Sequence, residues 1–254
     1  MDLGLHDRVY IVTGASRGLG AASALALAGE GARLVLCSRN QSALEALAQQ
    51  VEDPDRVIVV PGDLGDDQLP SRLCAAAIGR YGRLDGALIS VGGPPGGTTA
   101  ELSDAQWRGA FDTVFLGTLR LARAVIDATT IEGSSLLFVL SSSVRTPVPG
   151  LAASNGLRPG LAMLAKTLAD EAGARGVRVN ALLPGRIDTD RARELDEASG
   201  RPASTRRDNE AAIPLGRYGQ PQEFARVAAF VLSPAASYVT GTAIAVDGGS
   251  TRAL

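Results

Sequence analysis

Residues 9–20, VYIVTGASRGLG, constrain this chain more than any other stretch. Val9, Tyr10, Ile11 and Val12 form an uninterrupted apolar run rich in β-branched and aromatic residues, the signature of a strand buried on both faces of a parallel sheet. Gly14, Gly18 and Gly20 follow, then a segment of good helix formers over 21–30. Strand, glycine turn and helix in that order make an anion-binding device. A helix N-terminus presents unpaired N–H groups and partial positive charge. Glycine lets the backbone approach a pyrophosphate without a Cβ in the way.

Composition narrows the class. With 254 residues, a formal net charge of −2 and 45% hydrophobic residues, the chain suits one α/β domain, 1–254, with a sizeable core. Near-neutral charge without a basic face argues against a nucleic-acid partner. The N-terminus MDLGLHDRVY has no apolar run of the kind a secretory leader carries, and no apolar stretch approaches a membrane span. Cys37 and Cys74 make no disulfide framework, and Cys37, inside LVLC, reads as a small buried hydrophobe. The single histidine, His6, has no Cys or His companions, so no metal site is expected. A reducing cytoplasm fits these features.

Strand and helix patterns alternate down the chain. Strands are expected at 33–37, 57–60, 86–89, 136–140, 177–182 and 243–246, and helices at 41–51, 67–81, 103–129 and 153–174. In the helix at 103–129, Leu116 and Leu119 lie against Arg120 and Arg123 as an apolar and a charged side. This alternation predicts a single-domain Rossmann-type doubly wound parallel sheet with helices on both faces. Residues 190–209, DRARELDEASGRPASTRRDN, are charged and nearly free of aliphatics, and they follow a strand end, where open α/β sheets bind ligands. The segment reads either as a mobile lid over the site or as a solvated loop.

The glycine spacing is G-x-x-x-G-x-G rather than the commoner G-x-G-x-x-G. TGASRGLG resembles the cofactor loop of the short-chain dehydrogenase/reductase family. The resemblance implies that Gly14, Ser16, Arg17, Gly18, Leu19 and Gly20 contact a nicotinamide dinucleotide. Further segments match: Gly62-Asp63-Leu64 resembles the family's GDL, with Asp63 and Leu64 at the adenine. Ile89 to Gly93, ISVGG, stands where the family has NNAG and implies Gly92 in the site. NALLPGRIDT resembles its N-x-x-x-PG-x-x-x-T segment, which implies Pro184, Gly185, Ile187 and Thr189 around the nicotinamide. The ending PLGRYGQPQEFARVAAFVLSPAASYVTGTAIAVDGGSTR is similar to the family's as well. An acidic side chain at the end of the second strand would hydrogen-bond an adenosine 2′-hydroxyl, whereas arginine there suits a 2′-phosphate. This chain has Ser38 and Arg39, and Arg17 could grip the same phosphate from the other side. NADP(H) is the expected cofactor.

The catalytic pattern departs from the family's Asn, Ser, Tyr and Lys. Aligned on AKTLADE, the helix AASNGLRPGLAMLAKTLADE puts Ser154 at the tyrosine position and Arg158 at the lysine position. Thirteen residues before Ser154 stands Ser141, with Ser142 as the alternative, and Val114 stands at the asparagine position. Only the serine is retained. Arg158 lies one helical turn from Ser154, on the same face, and could bond the cofactor ribose, but guanidinium stays charged and is no proton reservoir. Lys166 is eight residues further on, roughly 12 Å along a helix, and cannot replace it. Tyr10, Tyr81, Tyr218 and Tyr238 fall in other segments. The pattern resembles a branch of the family with S-N-x-x-R in place of Y-x-x-x-K, similar overall to 3-oxoacyl-[acyl-carrier-protein] reductases.

Two functional readings follow. One is an NADP(H)-dependent oxidoreductase acting on a carbonyl or alcohol, with Ser141 orienting the substrate oxygen, the proton coming from water or Ser154, and Arg158 nearby. Arg145, Arg158 and Arg186 facing one cleft would suit an anionic substrate, such as a carboxylate or a 3-oxoacyl thioester on a phosphopantetheine arm. The other is a catalytically degenerate relative that binds NADP(H) as a sensor or assembly subunit. The resemblance implies a homotetramer or homodimer built on the helices at 103–129 and 153–174, the latter carrying Leu161, Leu164 and Leu168 as an apolar stripe.

Overall fold

The computed structural model describes residues 2–129 and 133–252. Strand β1 (Val9–Thr13) leads through the glycine turn into helix α1 (Gly18–Gly29), and then β2 (Arg33–Cys37), α2 (Gln41–Ala48), β3 (Val57–Val59) and α3 (Leu69–Tyr81) follow. The second half runs β4 (Gly86–Ser90), α4 (Asp104–Ala110), α5 (Gly117–Ala128), β5 (Ser135–Val139), α6 (Ala152–Ala172) and β6 (Arg178–Pro184). It ends with α7 (Asp190–Ala198), α8 (Pro202–Ala212), α9 (Pro221–Leu232) and β7 (Ala243–Val246). The sheet is parallel throughout, in the order β3-β2-β1-β4-β5-β6-β7. This is the doubly wound Rossmann-type α/β architecture expected from the alternating pattern.

Side chains of β1 alternate between two cores. Val9 and Ile11 join Leu73, Leu121, Val125 and Leu161 under α3, α5 and α6. Tyr10 and Val12 join Leu27, Leu44, Phe224 and Val231 under α1, α2 and α9. Both faces are therefore covered, which is why the strand reads as a continuous apolar run.

The helical stretch expected over 103–129 runs as α4, a π-helical turn over Phe111–Leu116 and α5, and Val114 sits in that turn. Four expectations are corrected. The buried face of α5 is Leu121, Ala122, Val125 and Ile126, with Leu116 and Leu119 only partly covered. Strand β6 reaches two residues further than expected, to Pro184. On α6, Leu161 and Leu168 are buried in the core and Leu164 packs against it, so the stripe is spent on the sheet.

The fourth correction concerns 190–209, which is neither loop nor featureless. Thr189 caps α7 by accepting from the Ala192 N–H at 3.3 Å, and Pro202 opens α8. Charge pairs at helical spacing, Arg193–Asp190 at 3.7 Å and Arg206–Glu210 at 3.0 Å, line the outer surface. What holds the pair down is polar. Asp196, 4% exposed, accepts from the Tyr218 hydroxyl at 3.0 and 3.1 Å and from the Asn209 amide at 3.3 Å. The Arg206 guanidinium lies 4.5 Å over the Tyr218 ring. Replacing Tyr218 by Phe leaves the Asp196 carboxylate buried without its main donor, at a cost of about 1–3 kcal/mol. Tyr218→Phe is expected to lower the urea midpoint and to speed tryptic cleavage after Arg206 and Arg207; an unchanged digestion pattern would refute this anchoring.

Candidate active site

The chain turns away from β1 in both directions, with β2 and β3 on one side and β4 to β7 on the other. Open α/β sheets bind ligands outside the carboxyl ends of the strands at such a reversal. Here the two strands are splinted together. The Thr13 hydroxyl donates to the Ser90 carbonyl at 2.8 Å and accepts from the Ser90 N–H at 2.9 Å. Gly14 follows with φ +61°, and a Cβ there would stand 2.8 Å from the Ser90 carbonyl oxygen. A Cβ on Gly20 would run into the Gly14 carbonyl. The turn is thus the tightest path from β1 into α1, and glycine is required at both ends.

The start of α1 is left open. Its N-cap residue, Arg17, makes no side-chain cap, and no carboxylate lies in the first turn. Unpaired N–H groups and the positive helix end face the cleft, which fits a pyrophosphate. The cleft has a volume of about 1320 Å³ and is lined from Ser38 and Arg39 at one end, past Gly14, Ser16, Gly18, Leu19 and Gly20, to Ser154 and Arg158 at the other. Asp63, Leu64, Gly92, Pro184, Gly185, Ile187 and Thr189 line it too. The tertiary structure therefore gathers the residues expected at the cofactor, together with Ser141, Ser154 and Arg158, into one cleft. Cys37 lines the Ser38 end, and burial pushes its thiol up to about 12, so it is inert.

The two arginines expected to grip one phosphate do not converge. Arg17 Nη1 donates to Glu194 on α7 at 2.8 Å and lies 4.0 Å from Asp190, while Arg39 pairs with Asp63 at 3.7 Å. Each exposed guanidinium has turned to a nearby carboxylate.

At the far end the three serines after β5 divide the work. Ser141 and Ser142 both line the cleft. Ser143, which the sequence reading passed over, is buried and shares a hydrogen bond with the Ser154 hydroxyl at 3.2 Å. Its own N–H is held by the Ser141 hydroxyl at 3.1 Å. Register counting could not see this, because a short 3-10 turn over Ser142–Val144 rotates the third serine inward.

Arg158 is 6% exposed, and its Nη1 donates to the carbonyls of Val139 and Leu140 at 3.0 and 2.9 Å. No carboxylate pairs with it among the described residues. Its other N–H groups meet no protein acceptor and are not sealed in, so they open on the cleft the residue lines. Burial, with a smaller contribution from Arg191, lowers its pKa to about 10, which leaves it cationic at neutral pH. Arg186 also lines the cleft, 3.9 Å from Asp196. Arg145 does not: its guanidinium donates to the Ala243 carbonyl at 3.2 Å, turned toward β7. The third cation is instead Arg191, which reaches the Pro94 carbonyl at 3.4 Å and would lie 3.0 Å from a Cβ on Gly93.

Two proline-rich segments, around Pro94-Pro95 and Pro147-Pro149, wall the same end. Asn155 fixes the second by pairing with both the N–H and the carbonyl of Val148, at 3.0 and 2.9 Å. Among the described residues no cluster of His, Cys, Asp or Glu suits a metal ion, and no helix is long and apolar enough to cross a membrane.

With this geometry in view, the relationships of the chain are consistent. Residues 14–251 match the family model described as enoyl-(acyl carrier protein) reductase. An uncharacterized oxidoreductase of Mycobacterium tuberculosis H37Rv is 35% identical over 97% of this chain and 92% of its own length. A short-chain dehydrogenase/reductase from Brucella melitensis superposes with a TM-score of 0.93 at 30% identity, covering 100% of both chains. The L-sorbose reductase of Gluconobacter frateurii, in complex with NADPH and L-sorbose, superposes with a TM-score of 0.91 at 28% identity, again over 100% of both chains. The order of the sheet, the glycine turn at its reversal and these relatives agree: the chain belongs to the short-chain dehydrogenase/reductase family of oxidoreductases.

Proposed function

We propose that this protein is an NADP(H)-dependent oxidoreductase that transfers a hydride to or from a small carbonyl or alcohol, and that it belongs to a branch with S-N-x-x-R in place of Y-x-x-x-K. The observation that carries the reading is the single cleft joining the uncapped start of α1 to Ser154 and Arg158. The bound nicotinamide would supply or accept the hydride. Arg39 and Arg17, near the adenosine end, are the ligands for a 2′-phosphate, and Ser38 leaves room for it. Asp63 and Leu64 serve the adenine. Gly92, Pro184, Gly185, Ile187 and Thr189 serve the nicotinamide half.

In the direction of reduction, negative charge develops on the substrate oxygen. Arg158 places a fixed positive charge in a desolvated position with donors free toward the cleft, where such charge is most effective. Ser141 orients the oxygen, and Ser154 passes a proton inward from water. Serine is too weak an acid to be the proton source, so water in the cleft gives up the proton through the Ser154 hydroxyl and leaves as hydroxide, while Ser143 holds that hydroxyl in place. The missing tyrosine and lysine are replaced by electrostatics and positioning.

Arg158, Arg186 and Arg191 around one end favour an anionic substrate, a carboxylate or a 3-oxoacyl thioester carried on a phosphopantetheine arm. Helices α7 and α8 act as a lid, since Arg191, Ala192, Leu195 and Asn209 line the cleft from above. The family's homotetramer or homodimer is supported by Phe111 and Met163, 41% and 69% exposed on α4 to α6, and a cytoplasmic setting by two buried free thiols. A second reading, a non-catalytic NADP(H) sensor or assembly subunit, is favoured by one observation: no Tyr, His or Lys lines the cleft among the described residues.

Three outcomes test these readings. Titration followed by nucleotide fluorescence or melting should show tight NADPH and weak NADH binding; at a hundredfold excess over Kd the ligand adds about 2.7 kcal/mol. Binding of neither would end both readings, and tight NADPH binding with no turnover across 3-oxoacyl thioesters and 2-oxo acids would select the sensor. For a substrate that is turned over, kcat/KM should stay flat from about pH 6 to pH 9, because no Tyr, His or Lys lines the cleft among the described residues, while burial lowers the Arg158 guanidinium only to about 10 and pushes the Cys37 thiol up to about 12. A bell with a limb near neutrality would place an acid or base in the site. Arg186→Gln should raise KM for an anionic substrate at least tenfold with kcat little changed, and equal KM values would remove the anionic assignment.

A further inference from the structure

The Arg17 guanidinium, offered above as a ligand for the 2′-phosphate, already holds an anion. Glu194, on the second turn of the lid helix α7, accepts from Arg17 Nη1 at 2.8 Å, with Asp190 at 4.0 Å behind it. Glu194 also lies 3.5 Å from Arg191 Nη1, and Arg191 in turn reaches the Pro94 carbonyl at 3.4 Å. One carboxylate therefore links the glycine turn, the lid and the loop after β4. Its bond to Arg17 is the shortest in that chain. The Arg17 guanidinium holds the Glu194 carboxyl below the usual carboxylate range, so it is ionised throughout the neutral range.

We propose that Glu194 is a specificity-determining residue for the cofactor, competing from the lid with the adenosine 2′-phosphate for the Arg17 guanidinium. A phosphate dianion and a carboxylate demand the same planar fork of N–H donors. When Arg17 turns to the 2′-phosphate, Glu194 keeps only the longer contact to Arg191, and α7 loses its tie to the glycine turn. NAD(H), with a neutral hydroxyl at that position, leaves the Arg17–Glu194 pair intact. The lid carboxylate thus narrows the preference for NADP(H) over NAD(H). By linkage, the phosphate weakens the lid contact by the same factor by which the contact weakens phosphate binding. Arg17 and Glu194 are 60% and 43% exposed, which sets the scale: an exposed ion pair is a few-fold effect rather than an absolute gate. The proposal rests on the reading of Arg17 as a phosphate ligand.

The test is a set of dissociation constants for NADPH and NADH, from fluorescence titration of the full chain as wild type, Glu194→Gln, Arg17→Gln and the double variant. Glutamine keeps the shape and removes the charge, and circular dichroism confirms that each variant is folded. Glu194→Gln is expected to tighten NADPH about two- to fivefold and to leave NADH unchanged. Arg17→Gln should weaken NADPH selectively, and adding Glu194→Gln to it should then change nothing. Equal tightening of both nucleotides, or no tightening of NADPH, overturns the competition. If Arg17→Gln leaves the NADPH-to-NADH ratio intact, the phosphate reading of Arg17 falls and takes this proposal with it. If Arg17→Gln abolishes the preference while Glu194→Gln is silent, the cofactor reading stands and only the role of Glu194 is lost.

Discussion

The crossing of Thr13 and Ser90 holds the rest of this molecule in place. Their reciprocal bonds, 2.8 and 2.9 Å, tie the ends of β1 and β4 at the point where the strand order reverses. Everything a dinucleotide would touch is measured from that tie. Gly14 folds back against Ser90, Gly20 against Gly14, and α1 then starts with its N–H groups facing the gap. A side chain at either glycine would push the helix off the sheet and close the approach to its N-terminus. Packing and anion binding are here the same constraint seen from two sides.

The two buried arginines show how a charge can be placed without a counterion. Arg178 spends both terminal nitrogens on four carbonyls, those of Val231, Leu232, Ser233 and Val239, at the negative end of α9. It is structural. Arg158 spends one nitrogen on two carbonyls at the end of β5 and keeps the others for the cleft. Desolvation lowers the pKa of both, and neither loses its charge at neutral pH. The difference in remaining donors is what separates a clamp from a site that can meet a ligand.

Helices α7 and α8 show where sequence pattern runs out. Their residues carry almost no aliphatic side chains, so the usual helical stripe is absent and the stretch reads as loop or lid. The helices are specified by caps, by charge pairs at helical spacing and by one buried carboxylate, Asp196, whose donors Tyr218 and Asn209 lie 22 and 13 residues further along the chain. Polar burial of that kind has no periodicity to detect. The same holds for Ser143 and Arg145. Counting along the chain placed Ser141 and Ser142 by the cleft, but a 3-10 turn set Ser143 against Ser154. It also grouped Arg145 with Arg158 and Arg186, and the fold sent Arg145 to β7 and brought Arg191 in its place.

The sequence by itself determined the parallel sheet and the glycine turn, and its resemblance to the family marked the segments that line the cleft and the positions where tyrosine, lysine and asparagine are replaced. The first two depend on short-range rules: strand period, and glycine at positions no Cβ can occupy. Only the tertiary structure decided which cations share the cleft, which serine meets Ser154, and that Arg17 is held by the Glu194 carboxylate of α7, 177 residues away. Long polar side chains on exposed turns choose among partners that are distant in sequence, and the choice is fixed by where the packed elements leave those partners in space.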